Sequence, residues 1–401
     1  MSDGAVTTTQ AFERIWDELA PVGHDGGSGG YRRYALTRED DTLREWFAGA
    51  AAARGLELVE DRAGNQWAWW GDPDAEPGIV LGSHLDSVPD GGAYDGPLGV
   101  VSALLAIDAL MMDGFVPRRP LGVACFADEE GARFGVACAG SRILAGSLDA
   151  DRALGLRDQD GTTMADALRA AGRESVAADP EALRRVAAFV ELHVEQGRGL
   201  VDLGHPVALG SAIVPHGRWR LDFRGEANHA GTTRLEDRHD PMLGYAAAVL
   251  EARRLAAHHG IVATCGKVRV EPNGVNAIPS HVTGWLDARG QDADAVRALV
   301  ADMTAFATER DAEVAEESWT DATAFEADLT TRLGETLGDV PVLATGAGHD
   351  AGILAQAGVP TAMLFVRNPT GVSHSPEEYA ELDDCLAGVD ALTAVARELA
   401  G

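Results

Sequence analysis

From residue 78 onward, short apolar runs alternate with longer helical stretches, and each run stops at a polar cluster. Ile79-Val80-Leu81 leads into Gly82-Ser83-His84, and residues 98–111 follow as an apolar helix. Residues 121–127 end in Asp128-Glu129-Glu130, residues 187–192 end in His193, and residues 360–366 end in Arg367-Asn368. Runs of this length that are apolar throughout are typical of strands buried on both faces. Strands that alternate with helices predict an α/β unit: a mostly parallel sheet with helices on both faces. In open sheets of this kind the ligand site lies beyond the carboxyl ends of the strands. That is where the polar clusters fall.

Between residues 213 and 323 the pattern changes. Trp219, Leu221 and Phe223 alternate with Arg218, Arg220, Asp222 and Arg224, which predicts a half-buried strand. A helix over 241–258 follows, with Pro241 suited to its first turn. Strands over 264–270 and 281–289 are joined by the turn-rich Pro272-Asn273-Gly274. A helix over 292–310 and a strand over 313–319 complete the order. Strand–helix–strand–strand–helix–strand is the ferredoxin-like α+β arrangement. The expected organisation is a discontinuous larger domain, 1–212 with 324–401, and an inserted domain, 213–323.

A length of 401 residues agrees with more than one core. The balance of 63 acidic against 33 basic residues gives a formal charge of -30, with Lys267 as the lone lysine. Such a surface repels phosphate backbones, so no nucleic-acid partner is expected. Four cysteines lie far apart with no Cys-x-x-Cys pair, which argues against a thiolate zinc site and a disulfide framework. Residues 1–10 are polar and carry no apolar targeting core, and no run is long enough to span a bilayer. A cytoplasmic protein without a membrane partner is the expectation.

The polar clusters carry the chemistry. His84 is a candidate metal ligand, and Asp86, two residues on, is placed to orient its imidazole. Asp95 sits in a glycine-rich turn that brings a carboxylate back over the strand end. Glu129 and Glu130 close an apolar strand, where alternation sends neighbouring side chains apart, so one can bind metal while the other handles protons. His193 and His374 stand in two further clusters. Each feature alone has a bland structural reading. Together, histidines and carboxylates gathered at strand ends form the donor set of a binuclear hydrolytic site. Oxygen and imidazole donors suit Zn²⁺ or Mn²⁺, with Co²⁺ or Ni²⁺ as alternatives.

Six strings in order, GSHLDSVPDGGAYDGPLGV, FADEEGARF, ELHVEQG, GEANHAGTT, NAIPSHV and GVSHSPEE, resemble the M20 metallopeptidase-like family. The resemblance is to its amidase branch, which holds allantoate amidohydrolases, N-carbamoyl-L-amino acid hydrolases and bacterial-type β-ureidopropionases. It runs from about residue 22 to the C-terminus. It implies two divalent metals bridged by Asp95, one also held by His84 and His193, the other by Glu130 and His374. Glu129 would be the general base. His229, from an inserted lid and dimerisation domain, would stabilise the oxyanion, in trans within a homodimer. Gln196, Asn276 and Arg289 would bind a small carboxylate substrate, Arg289 as a planar fork. The implied reaction is hydrolysis of a linear ureido, carbamoyl or formyl-type C–N bond.

The sequence departs from the family pattern at Arg234, where proline is common, and at His216-Gly217, where a Gln-Arg pair is common. Arg234 is either a second carboxylate-binding cation, as for an N-formyl or N-formimino acidic amino acid, or a surface arginine. A dipeptidase or aminoacylase of the same family is the nearest rival activity. A non-catalytic relative would lack Glu129 or a ligand, and none is missing. Hinges near 209–212 and 322–325 are expected to close the inserted domain over substrate.

Overall fold

The computed structural model describes residues 7–173 and 175–401, so most of the polar N-terminal stretch 1–10 lies outside the described residues. The chain forms two compact units, one through Ser211 and again from Ala324, the other Ala212–Thr323. Among the described residues no helix is long and apolar enough to cross a membrane.

The first unit is α/β. Its four apolar runs become adjacent parallel strands, in the order Leu121–Phe126, Gly78–His84, Val186–Val194 and Thr361–Val366. Antiparallel strands flank this centre: Gln66–Trp70 and then Glu57–Glu60 on one side, Val207–Ile213 on the other. The edge strand Glu57–Glu60 is short, exposed and acidic, features that discourage further pairing. Side-chain alternation divides each central strand between two faces. Ile79, Leu81, Val190, Leu192 and Leu364 enter the main apolar core. Phe189, Glu191 and His193 alternate with them and therefore face the other side.

The helix Pro97–Met112 starts with Pro97 in its first turn, where a missing N–H costs nothing. Twelve of its sixteen residues are buried, as expected of a helix apolar all round. It packs between the Gly78–His84 strand and the C-terminal helix Leu382–Ala400.

The second unit is a four-stranded antiparallel sheet ordered Glu313–Thr320, His216–Arg224, His281–Arg289 and Val262–Glu271. Helices Pro241–His259 and Ala293–Thr308 follow the first and third of these strands in the chain. Trp219, Leu221, Phe223, Val282 and Leu286 form its core with helix residues such as Leu255 and Leu299. Two short strands, Asn228–His229 and Ala277–Ile278, pair off the main sheet.

Candidate metal centre

His84 is the last residue of its strand and His193 the penultimate residue of the neighbouring one. Parallel pairing of Gly82 with Glu191 brings the two histidines level, with ring centroids 6.0 Å apart. Asp95 reaches them from the loop that enters helix Pro97–Met112. Gly96 makes that approach possible. Its φ is +84°, and a Cβ there would lie 2.4 Å from Cε1 of His84. Oδ1 of Asp95 stands 3.0 Å from Nε2 of His193 and 3.6 Å from Nε2 of His84. The other oxygen, Oδ2, faces Nε2 of His374 at 3.4 Å, and that nitrogen is 3.7 Å from Oε2 of Glu130.

Asp95 thus belongs to two donor groups, one with His84 and His193, the other with Glu130 and His374. Within each, the donor atoms lie within 4.8 Å of one another. Nδ1 of His193 is 2.9 Å from the Val194 carbonyl and Nδ1 of His84 is 3.2 Å from that of Asp86. Donation from both Nδ1 atoms leaves the Nε2 lone pairs facing Asp95. Among the described residues, those two Nε2 atoms and Oε1 of Glu130 are buried with no hydrogen-bond partner. Buried donors aimed at a common point fit a divalent cation, and the imidazole–carboxylate set suits a transition metal.

Glu129 stands beside this group, its Oε2 3.7 Å from Nε2 of His84. The expected alternation of Glu129 and Glu130 along a strand does not occur. The strand stops at Phe126, and Asp128, at φ +53°, turns the chain so that both glutamates lie in a bend. Asp86 holds that bend. Its carboxylate accepts the N–H of Glu129 at 3.1 Å and of Glu130 at 3.0 Å, and its Oδ1 is 3.4 Å from Nδ1 of His84. One carboxylate therefore orients an imidazole and two acidic side chains. Asp128 instead lines a separate cavity of about 220 Å³ with Asp40, Met164 and Leu168, one that neither glutamate lines.

Burial dominates the electrostatics. It pushes Glu130 up to about 8, helped by Asp95, and Glu129 well above the usual carboxylate range, helped by Asp350 and Glu130. Burial also opposes charge on the histidines, but the neighbouring carboxylates win, lifting His193 to about 9 and His84 well above its ordinary value. Asp95 is the exception. Burial would raise it, yet His193 and His84 hold it well below the usual range. Buried carboxylates and imidazoles of raised proton affinity are groups for which a divalent cation would compete with protons.

The remaining residues of interest fall into two groups. Gln196 is at the centre, its Nε2 2.9 Å from Oδ2 of Asp95 and 3.2 Å from Nε2 of His374. His349 is 3% exposed, with its ring 4.5 Å from that of His193. In the second unit, His229 is exposed on its short strand, and the carbonyl of exposed Asn276 accepts the Ala230 N–H at 2.9 Å. Arg289 forms a fork with Asp287 at 2.6 and 2.9 Å, and the sheet register sets it opposite His216. Arg234 is 70% exposed and paired with Asp237 at 2.8 Å and Glu236 at 3.3 Å. That geometry favours the surface-arginine alternative.

Three residues near the centre have no role in the motif-based reading. The Cys138 thiol donates to Oε1 of Glu129 at 3.2 Å, Ser373 accepts from Gln196 at 3.0 Å, and buried Glu378 accepts the Asp95 N–H at 2.9 Å. Ser373 and Glu378 act through partners distant in sequence, 177 and 283 residues away, whereas Cys138 lies nine residues from Glu129. For Ser373 and Glu378 the available signal is their place beside His374, in Ser373-His374-Ser375-Pro376-Glu377-Glu378.

Comparison with known proteins places this geometry in a family. The chain is 36% identical to an N-carbamoyl-L-amino acid amidohydrolase of Geobacillus stearothermophilus, over 95% of this chain and 96% of that one. It is 34% identical to an allantoate amidohydrolase of Escherichia coli (strain K12), over 98% of each. Among solved structures, an amidase of the hydantoinase/carbamoylase family from Burkholderia vietnamiensis superposes with a TM-score of 0.88 at 28% identity, covering 100% of this chain and 99% of that one. AtUAH in complex with (S)-hydroxyglycine gives 0.85 at 27% identity, covering 98% and 97%. Residues 80–398 match peptidase family M20/M25/M40, and the chain belongs to that family.

Proposed function

We propose that this chain is a metal-dependent amidohydrolase that cleaves a linear C–N bond, of ureido or carbamoyl type, in a small amino-acid-like carboxylate. The observation that carries the proposal is the division of Asp95, one oxygen toward His84 and His193 and the other toward His374. His84, His193 and Asp95 would hold one divalent transition metal, and Asp95, Glu130 and His374 a second, Zn²⁺ or Mn²⁺ by donor type. When bound, such a pair lowers the pKa of a shared water and polarises the scissile carbonyl.

The protein's own groups do the rest. Glu129 takes the water proton on Oε2 and passes it to the leaving nitrogen. It suits that task because Asp86 and Cys138 fix its orientation. Gln196, Asn276 and Arg289 recognise the substrate, with Arg289 directed at its carboxylate. Asp287 orients that guanidinium before substrate arrives. His229 donates to the developing oxyanion.

The names of the relatives support N-carbamoyl-L-amino acids and allantoate as substrate candidates. The AtUAH complexes with (S)-hydroxyglycine and glyoxylate support a small carboxylate ligand. The second unit would also form a homodimer. Leu243 and Leu250 are 71% and 74% exposed on helix Pro241–His259, and Val268 is 50% exposed on the adjoining edge strand. Four free cysteines fit a reducing compartment such as the cytoplasm.

The test is a turnover panel of allantoate, N-carbamoyl and N-formyl amino acids and dipeptides, with ammonia, formate and amino acid as readouts. Release of ammonia from a ureido or carbamoyl substrate is expected. Turnover confined to dipeptides would overturn the assignment. Elemental analysis of the same active protein should find close to two transition metals per chain.

A further inference from the structure

Glu378 is 4% exposed, and its carboxylate ties together two loops that are far apart in sequence. Oε1 accepts the N–H of Tyr94 at 3.1 Å and of Asp95 at 2.9 Å, across 284 and 283 residues. Oε2 accepts the Ser373 hydroxyl at 3.0 Å. Ser373 accepts from Nε2 of Gln196 at 3.0 Å, and the same amide reaches Oδ2 of Asp95 at 2.9 Å. The hydrogen bonds close a circuit: Glu378, Asp95, Gln196, Ser373, and back to Glu378. The approach is tight. A Cβ on Gly92 would lie 2.4 Å from Cβ of Glu378 and 2.5 Å from its Oε1, so only glycine lets the Asp95 loop come this close.

The two halves of the centre are supported unequally. His84 and His193 sit on paired strands, where the sheet fixes their spacing. Asp95 and His374 both sit on loops, and His374 has φ +56° with its side chain 52% exposed. The Glu378 circuit is the cross-link between those loops. We propose that Glu378 is a positioning residue that sets the distance from Oδ2 of Asp95 to His374, and so the affinity of the Asp95–Glu130–His374 position for its cation. The inference rests on the reading of the centre as two cation positions. Acceptance of two backbone N–H groups and a hydroxyl makes Glu378 a firm tie, and partners of this kind change metal affinity by roughly 10–100-fold.

The test is a titration of metal-free protein with Co²⁺ or Zn²⁺ in competition with a chromogenic chelator, for wild type, Glu378→Gln and Ser373→Ala. Wild type is expected to bind two ions. Glu378→Gln keeps the shape but turns one acceptor oxygen into an amide donor, and it should weaken one binding event by about tenfold or more while leaving the other within about twofold. Ser373→Ala removes one arm of the circuit and should weaken the same event by less. Visible spectra of the Co²⁺ forms should recover the two-ion absorption at excess metal. Two unchanged affinities in Glu378→Gln overturn the proposal, as does equal weakening of both. If Glu378→Gln fails to fold, unchanged affinities in Ser373→Ala overturn it instead. A wild type that binds no second ion overturns the two-cation reading itself.

Discussion

At the scale of single residues, the proposed centre would separate groups that bind from groups that move protons. Glu129 and Glu130 are adjacent, yet their oxygens meet different partners: Glu129 lies near His84 and Cys138, Glu130 near His374. Asp86 accepts both backbone N–H groups, so the bend survives if either side chain changes. Glu129→Gln is therefore expected to keep the fold and both metals. A general base contributes roughly 10²–10⁴ in rate, so turnover should fall by at least that range. Metal content by elemental analysis and steady-state kcat on the same preparation check the two halves of this expectation. A variant with half the wild-type kcat would remove Glu129 from the proton-transfer role. The Gln side chain can still accept from Cys138, so a stability change above about 1 kcal/mol is not expected.

At the scale of elements, the parallel centre of the sheet was legible because strands buried on both faces have an unbroken apolar signature. All four apolar runs of the sequence become its four central strands. The antiparallel edges left no such trace: Glu57–Glu60 is polar and exposed, and Gln66–Trp70 carries tryptophans without alternation. The bend at Asp128 was hidden too, because a left-handed aspartate has no sequence pattern beyond its type. The histidines and carboxylates at the strand ends could be found locally, whereas Glu378 and Cys138 take their meaning from contacts formed only in the fold. Gly96 shows how one turn links element to site. It caps helix Pro97–Met112 at φ +84°, ψ -58°, with the His84 ring where a Cβ would stand. Gly96→Ala should cost about 1–3 kcal/mol in a denaturant titration of the metal-free protein. It should also displace either His84 or Asp95, so metal content should fall well below the wild-type value. Full metal content with an unchanged unfolding midpoint would show that the turn tolerates a side chain.

At the scale of the whole molecule, the two units differ in chemical equipment. The unit through Ser211 and from Ala324 carries every donor of the candidate centre. The Ala212–Thr323 unit carries His229, Asn276 and Arg289, with an exposed edge strand and exposed leucines suited to a second copy. If metals and oxyanion donor reside on different units, a dimer can complete one active site from two chains. That arrangement makes a prediction no single-chain variant can test. His229→Ala and Glu129→Gln should each be nearly inactive alone, the first lacking the proposed oxyanion donor and the second the proposed base. Co-expressed with different tags and purified as the mixed dimer, they would combine one intact pair of roles. One of the two sites would then have both Glu129 and His229, and activity should return to about half the wild-type value per dimer. If His229 serves its own chain, both sites stay defective and the mixed dimer remains as inactive as its parents. The outcome is independent of substrate identity, since any substrate turned over by the wild type serves as the readout. It also separates the two roles of the second unit, because a mixed dimer that assembles without activity keeps the interface and removes the shared site.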